Sequence, residues 1–431
     1  MDSSGEIIEV WDKEQLMAKV AEDAEAAAGK SKKTKDLDQL MLWGQPGHLS
    51  EEEADTYMKF KAEVEKRDKD FKDTIYSFGT VEGEVYAYCR WLRARKYNLA
   101  DTIAMVEGAT ECRAEAKRAD FWPDPSKAIG CEVSHYISQY PQCYTGYGMN
   151  GAPVFISKPG VLNTDAVECV TTIENVVKFH WFAQMHDFGN RLRSYKEKNP
   201  EFKRFECICI LDLEGLTMSQ LSQRTLAIVK DQSAIDSLCF PETMNKMYIV
   251  NGPRFFSATW KMIKGWIDPR TASKVEVVSS RDKWEEKLRQ IIDVEQLPSD
   301  YGGKATDSKT EIEKANYIGD LKKVHTEVIY VRGSGASSFE IAAGEQVDIT
   351  IYTRSKLGAN FCVVDGKTKK EILPNVEVKH TGGESLSDLP TCKKFTEERL
   401  VGPMSIKVKA DSNAGRFTTH NFLAVFSVYR N

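Results

Sequence analysis

The spacing of apolar and polar positions along the 431-residue chain changes twice. Between 51 and 78, Tyr57, Phe60, Val64 and Phe71 recur among strong helix formers, which predicts one amphipathic helix. From 83 to 119 a compact helical unit follows. Val85, Tyr88, Trp91 and Leu92 share one side of its first helix. Asn98 is placed to cap the second helix, with Asp101 three positions on, and Phe121-Trp122-Pro123 ends it. From about 128 to 303, short apolar runs alternate with longer helical periods. The runs at 154–156, 205–213, 247–250 and 275–278 predict strands, and 172–193, 220–237, 255–267 and 284–292 predict helices. Such alternation builds a mainly parallel sheet with covering helices. Residues 304–324 read as a charged connector. After them the period becomes two, with strands expected at 325–331, 347–352, 361–364, 372–378, 404–408 and 422–429 between Gly-rich turns. That is the pattern of an antiparallel β-sandwich.

The fold class is therefore multidomain: an N-terminal helical unit, an α/β domain with a mainly parallel sheet and a C-terminal all-β sandwich. The expected boundaries are a partly helical acidic extension over 1–80, the helical unit over 81–127, the α/β domain over 128–306, a linker over 307–324 and the sandwich over 325–431.

Composition narrows the function. A chain with 41 % hydrophobic and 10 % aromatic residues supports a packed core. The net charge of −5 divides into −7 over 1–80, −1 over 81–340 and +3 over 341–431, which does not suit a nucleic-acid binder. An Ala- and acid-rich stretch at 22–28 and a basic run at 30–35 read as a solvated tail or a weak tether to anionic membrane. Ten cysteines are scattered without a C-x-x-C pair, and no N-x-S/T site occurs, so a reducing cytosol is expected. No apolar run reaches the ~18 residues that span a bilayer, and the acidic N-terminus lacks a secretory signature. Any membrane association is expected to be peripheral.

Catalytic motifs fare poorly. Gly146-Tyr147-Gly148-Met149-Asn150-Gly151 spells G-x-G-x-x-G, but Pro153 and an apolar strand follow it where a helix N-terminus would have to meet a phosphate. It reads as a turn entering a strand. His180 and His186 are six apart, which is not the i, i+4 spacing of zinc ligands on a helix. Cys207 and Cys209 share a strand face and read as small core residues. No nucleophile, base and orienter assemble, so no catalytic residue, metal or cofactor is expected and the protein is read as a non-enzyme.

The segment 240–274 is the most distinctive. Phe240-Pro241-Glu242-Thr243 precedes a strand ending in Asn251-Gly252-Pro253. A helix then carries a stripe of Phe256, Trp260, Ile263 and Ile267, with Phe255 and Trp266 beside it. Arg254, Lys261, Lys264, Arg270 and Lys274 surround this broad aromatic face, and residues 241–280 sum to +3. Two readings fit: a core helix with a solvated basic edge, or a movable lid whose aromatics touch a bilayer while its lysines approach lipid phosphates.

Over roughly 81–303 the sequence resembles the CRAL-TRIO lipid-transfer family of the Sec-fourteen-like phosphatidylinositol-transfer type. The resemblance rests on Trp91-Leu92-Arg93-Ala94-Arg95-Lys96-Tyr97, Tyr140-Pro141-Gln142, Gly151-Ala152-Pro153-Val154, Leu211-Asp212-Leu213-Glu214-Gly215-Leu216, Pro241-Glu242, Asn251-Gly252-Pro253, Asp268-Pro269 and the closing Leu297-Pro298 to Tyr301-Gly302-Gly303, all in order. The sandwich more loosely resembles a GOLD domain.

The resemblance implies a lipid headgroup site at Glu242, Thr271, Lys274, Arg95 and Lys96. An ammonium and a hydroxyl suit a phosphate, and a carboxylate that only accepts hydrogen bonds suits inositol hydroxyls. It implies a cavity lined by Tyr144, Phe155, Phe205, Cys207, Cys209 and Leu211, gated by Phe255, Phe256, Trp260, Ile263, Trp266 and Ile267. The expected ligand is phosphatidylinositol with a second hydrophobic lipid, taken from cytosolic leaflets. Cys207, Cys209 and Phe155 stand where hydroxyl groups would serve phosphatidylcholine, which points the second ligand towards a tocopherol, retinoid, carotenoid or sterol-like molecule. Alternatives are a dedicated carrier of such a hydrophobe, or a trafficking adaptor whose GOLD-like domain binds a protein partner.

Overall fold

The computed structural model describes residues 11–17, 41–221, 223–265, 269–383, 387–414 and 416–430. The tail segments 22–28 and 30–35, and the gate residues Trp266 and Ile267, lie outside the described residues.

The stretch expected to be one helix over 51–78 is two, α1 (Glu51–Glu65) and α2 (Lys69–Ile75). Ser50 and Glu53 form a reciprocal capping box at the start of α1. The break follows from Asp68, whose carboxylate accepts from Phe71 N and starts a new helix. Tyr57, Phe60, Val64, Phe71 and Ile75 are buried in one core with Val85, Tyr88, Trp91 and Leu92 of α3 (Gly83–Ala94) and Val106 of α4 (Leu99–Arg118). Although expected as an accessory extension, 51–75 is thus part of the packed helical unit.

The α/β domain is built on a sheet ordered β1-β2-β3-β4-β5. Its strands are β1 (Gln142–Tyr147), β2 (Pro153–Ser157), β3 (Cys207–Asp212), β4 (Met244–Val250) and β5 (Val275–Val278). β1 pairs antiparallel with β2, and the remaining pairs are parallel. β1 lacks a run of apolar residues and is not legible as a strand in the sequence. Gly148 and Gly151 make the turn between β1 and β2: Gly148 N donates to Ala152 O at 2.8 Å, and Gly151 takes φ 81°.

The two faces of this sheet differ. Val154, Ile156, Ile208, Ile210, Tyr248 and Val250 pack on one side with α5 (Val133–Ile137) and with Trp284 and Leu288. The other side presents Phe155, Cys207, Cys209, Leu211, Met247, Ile249, Val275 and Val277. The helical unit covers part of that second side: Phe78 stacks on Phe205 at 4.2 Å and meets Phe188 edge-on at 5.4 Å. Phe188 comes from a long helical run, α6 (Thr164–Val170) preceding α7 (Ile173–Phe182), a π-helical turn Ala183–Phe188 and α8 (Gly189–Lys198). α9 (Gln223–Cys239) and α10 (Phe256–Lys264) complete the cover, α11 (Pro269–Ser273) leads into β5, and α12 (Arg281–Arg289) carries Trp284.

The expected linker is a helix docked on the domain. Asp307 caps α13 (Ser308–Asn316), and Ile312 is buried with the first sheet face.

The sandwich holds two antiparallel sheets, β10-β9-β13-β7 and β11-β8-β14-β6, with β12 paired to β8. β6 (Leu321–Val331), β8 (Glu345–Thr353), β9 (Ala359–Asp365), β10 (Glu371–Val378), β13 (Met404–Ser412) and β14 (His420–Arg430) contain the six expected strands, and β7 (Ser334–Ile341), β11 (Thr391–Lys394) and β12 (Leu400–Val401) are additional. β14 is apolar on both sides, because Phe422, Ala424, Phe426 and Val428 enter the sandwich core while Leu423 and Val425 pack on Ala166, Cys169 and Val170 of α6. Polar contacts lock this joint. His135, pushed down to about 4 by burial and therefore neutral at physiological pH, sits between Tyr352 Oη (2.9 Å) and Ser427 Oγ (3.1 Å). The Arg354 guanidinium donates to Glu168 O, Thr171 O and Asp388 O at 2.7–2.9 Å, closing the C-terminus of α6.

Arg354→Ala is expected to destabilise the sandwich joint by about 2 kcal/mol, the scale of losing charged donors to carbonyls left half-buried. Chemical denaturation checks this: an early transition or a lowered midpoint is expected, and an unchanged curve would remove Arg354 as a clamp.

Candidate functional site

The second sheet face is the chemical oddity of the fold. Leu211, Met247, Val275 and Val277 are apolar, point the same way and yet are only partly buried. α10 lies over them. Phe256 is buried against Leu213 and Ile249, and Phe255 and Trp260 are partly buried in the same cluster. Ile263 is half-buried, whereas Arg254, Lys261 and Lys264 are exposed. The short helix thus turns its aromatic stripe inward onto the strands and its cations outward, as an amphipathic helix must.

Cys207 and Cys209 also lie on this face, with their Sγ atoms 3.4 Å apart. The contact with Cys209 and burial both push the Cys207 thiol up, so it stays protonated and contributes a soft, nearly apolar surface. Phe205 lies just before β3 and is filled in by its stacking on Phe78 and by the Arg90 guanidinium 4.0 Å above its ring.

At the other end of the covered face is a buried charge cluster. Glu242 has a left-handed backbone (φ 61°), a costly conformation for a non-glycine residue. Its carboxylate meets three cations: Arg270 Nη2 at 2.9 Å, Lys274 Nζ at 3.1 Å and Arg93 Nη2 at 3.4 Å. The three side chains are 2–8 % exposed. Burial alone would raise the Glu242 carboxyl, but Lys274, Arg93 and Arg270 together outweigh it and hold the group below the ordinary glutamate range. The cluster ties distant segments together. Arg93 also donates to the carbonyls of Met41 and Trp43, Arg270 donates to Arg93 O at 2.9 Å, and the Arg270 guanidinium lies 5.0 Å from the Trp43 ring centroid. Two further ion pairs, Arg90 on Glu82 and Arg204 on Glu206, stand beside it.

Of the five expected headgroup residues, the fold brings Glu242 and Lys274 into contact. Thr271 is half-buried between Arg270 and Lys274 on α11, and its carbonyl accepts from Lys274 N at 3.1 Å. Arg95 and Lys96 are exposed just past the end of α3 and do not enter the cluster. Their place is taken by Arg93, two residues earlier and one helical side round, where the chain is buried. Arg270 was expected on the solvated edge of the gate helix and is instead buried on Glu242. Arg93 lies in the same Trp91–Tyr97 run and Arg270 directly after Asp268-Pro269, so the signal was in the motifs and lacked only the burial.

The expected lining residues separate as well. Tyr144 and Phe155 border a cavity of about 570 Å³ with Tyr147, Phe179, Phe182 and Asn190. Asp187 and Arg191 also line it, joined at 3.0 Å, and the Arg191 guanidinium lies 5.7 Å from the Tyr144 ring. Phe205 borders a separate cleft of about 30 Å³ beside Glu242, Arg93 and Glu206. Leu211 belongs under α10. His180 and His186 are held apart, by Asp236 at 2.7 Å and by Asp120 O at 2.7 Å.

A sheet with one face left partly open beneath an amphipathic helix, and a buried charge cluster at its margin, defines a ligand-holding α/β domain. The family model for the CRAL/TRIO domain matches residues 137–303. A protein named SEC14 cytosolic factor, from Kluyveromyces lactis, is 30 % identical over 281 residues, covering 65 % of this chain and 87 % of its own. The phosphatidylinositol/phosphatidylcholine transfer protein SFH9 of Arabidopsis thaliana is 30 % identical over 230 residues, 51 % of this chain and 37 % of its own length. The chain belongs to the CRAL/TRIO domain family. The crystal structure of Sfh5 aligns over 61 % of this chain and 91 % of that one, with a TM-score of 0.44 and 16 % identity.

Glu242→Gln leaves three buried cations around a neutral amide, and a loss of about 3–5 kcal/mol is expected. Because the carboxyl is held low in the folded state, its stabilisation is complete above the unfolded value of about 4.3 and is lost as pH falls through the lower folded value. Thermal melts of both proteins from neutral to strongly acidic pH check this. The gap should stay constant down to about 4.3, narrow as pH falls further and be gone below the folded value; a gap that does not depend on pH would mean the charge of Glu242 is not what matters.

Proposed function

We propose that the protein takes phosphatidylinositol from cytosolic membrane leaflets into the space between the second sheet face and α10, for exchange or presentation, together with a second hydrophobic lipid. The observation that carries this reading is the buried cluster of three cations on one carboxylate at the edge of an apolar floor. A phosphate is the ligand that such an excess of positive charge fits. In this reading Lys274, Arg93 and Arg270 meet the phosphate, the Thr271 hydroxyl donates to it, and Glu242 accepts from inositol hydroxyls. Arg93 takes the part expected for Arg95 and Lys96.

Two acyl chains hold about 30 CH₂ groups, worth roughly 25 kcal/mol against water at ~0.8 each. Free diffusion of the lipid is therefore negligible, and a cavity that matches the bilayer interior makes exchange nearly neutral. Movement of α10 then sets the rate. Its exposed Lys261 and Lys264 would approach lipid phosphates as its aromatic stripe turns outwards. No covalent step is needed. The relatives named as a cytosolic factor and as a phosphatidylinositol/phosphatidylcholine transfer protein support the same reading. The sandwich, read as GOLD-like, would travel as a fixed companion of the lipid domain and offer a site for a protein partner.

A second reading is favoured by the touching thiols of Cys207 and Cys209 and by Phe155, which give the floor no strong hydrogen-bond donor. It makes the protein a carrier of a tocopherol, retinoid, carotenoid or sterol-like molecule.

Mass spectrometry of lipid extracted from the purified protein separates the two. Phosphatidylinositol in near-stoichiometric amount is expected; another hydrophobe without it would move the second reading to first place. Lys274→Ala is expected to lower phosphatidylinositol transfer between vesicles by at least about tenfold; the loss of a buried ion pair also lowers its melting temperature, so transfer is read well below that temperature, where circular dichroism shows the variant folded. Undiminished transfer would overturn the headgroup site.

A further inference from the structure

The register of the sandwich gathers three turns at one end. Ser412 pairs with Ala359, Asp411 with Ser334, and Val331 and Thr353 pair with His420 and Phe422. The turns 332–333 and 354–358 therefore stand beside residues 413–414 and 416–419. They are bonded to one another: Arg332 Nε donates to Arg416 O at 3.1 Å, Ser412 N to Gly333 O at 2.8 Å and Asn413 N to Gly358 O at 3.4 Å. Gly333, at φ 79°, turns directly under the Arg416 side chain, where a Cβ would come within 2.8 Å of Arg416 Cγ.

At the tip of this end Phe417 is 96 % exposed, and Leu357 in the adjoining turn is 50 % exposed. Arg332, Lys356 and Arg416 are exposed around them. The three turns contain no Asp or Glu, in a protein whose overall charge is negative. Two carboxylates stand on the flanking strands: Asp411 is exposed, and Glu377 accepts from Asn413 Nδ2 at 2.7 Å. A phenyl ring held out in water by a bonded turn, inside a ring of cations, has the chemistry of a surface that meets the headgroup boundary of an anionic bilayer.

We propose that this end of the sandwich is a membrane contact separate from α10, in which Phe417 and Leu357 enter the headgroup region while Arg332, Lys356 and Arg416 face anionic lipid phosphates. The sandwich is locked to the lipid domain through His135 and Arg354, so such a contact would fix the orientation of the whole protein on the membrane. The inference concerns membrane binding alone and stands whatever lipid the cavity carries.

The test is cosedimentation of the full chain with phosphatidylcholine vesicles, with and without phosphatidylserine, at low and high salt. Binding to the anionic vesicles that salt weakens is expected. Phe417→Ser should retain the parent melting temperature, because the ring is in solvent; R332E/R416E also loses the Arg332 Nε bond to Arg416 O, so its binding is read at a temperature where its melt shows it folded. Each lost cation is expected to lower binding by about fivefold, with charge reversal costing more. Phe417→Ser should lower it by a similar factor without changing the salt dependence. K261E/K264E on α10 provides the comparison. Vesicle binding that depends on α10 and is untouched by both sandwich variants would overturn the proposal, as would no binding of the parent chain. Self-association abolished by Phe417→Ser, with vesicle binding unchanged, would assign the tip to a second copy of the chain and also overturn it.

Discussion

A carboxylate held among three buried cations fixes how the parts of this molecule meet. Glu242 stands at the mouth of β4, Arg93 on the helical unit, and Arg270 and Lys274 on the short segment that follows α10. Removing four charges from water is expensive, and their mutual attraction together with the carbonyls of Met41, Trp43 and Arg93 offsets it. The arrangement is therefore intolerant of displacement: moving any one segment leaves charge uncompensated. Phe256 and Trp260 of α10, by contrast, rest on the strands through non-directional contact.

The sheet explains why a cover is required. Both of its faces are apolar, as expected of parallel strands, but they are closed by different means. One is sealed by α5, α12 and α13, with Tyr248, Ile210 and Val154 at its centre. The other is shared between the helical unit, which stacks Phe78 on Phe205, and α10, under which Leu211, Met247, Val275 and Val277 keep part of their surface open. An apolar surface left partly open thus lies beside an excess of buried positive charge.

The sandwich is joined to this domain by more than a tether. β14 packs on both of its sides, His135 is buried between Tyr352 and Ser427, and Arg354 closes the end of α6. The two domains therefore present their outer surfaces in one fixed relation, which gives an exposed tip such as Phe417 a meaning for the orientation of the lipid domain as well.

Much of this is local and could be read from the chain. The alternation of β and α over 128–303, the period of two beyond 324 and the aromatic stripe of 255–263 depend on residues near in sequence, so periodicity reveals them, whereas Glu242 and Lys274 were picked out only through the family resemblance of the motifs around them. The break between α1 and α2 was also local, but it rests on a single hydrogen bond that the Asp68 carboxylate accepts from Phe71 N, which an amphipathic pattern masks. What the tertiary structure alone decided is which of several basic residues became buried. Arg93 and Arg95 are alike in chemistry and two positions apart, but Arg93 is in the last turn of α3 and faces inward to Glu242, about 150 residues away, whereas Arg95 lies past the end of that helix and faces water. In the same way the run of apolar residues in β14 foretold burial but not against what. Partner choice across the fold is set by long-range packing and by the cost of leaving a charge or an apolar face uncovered, and neither quantity is a property of any one stretch of sequence.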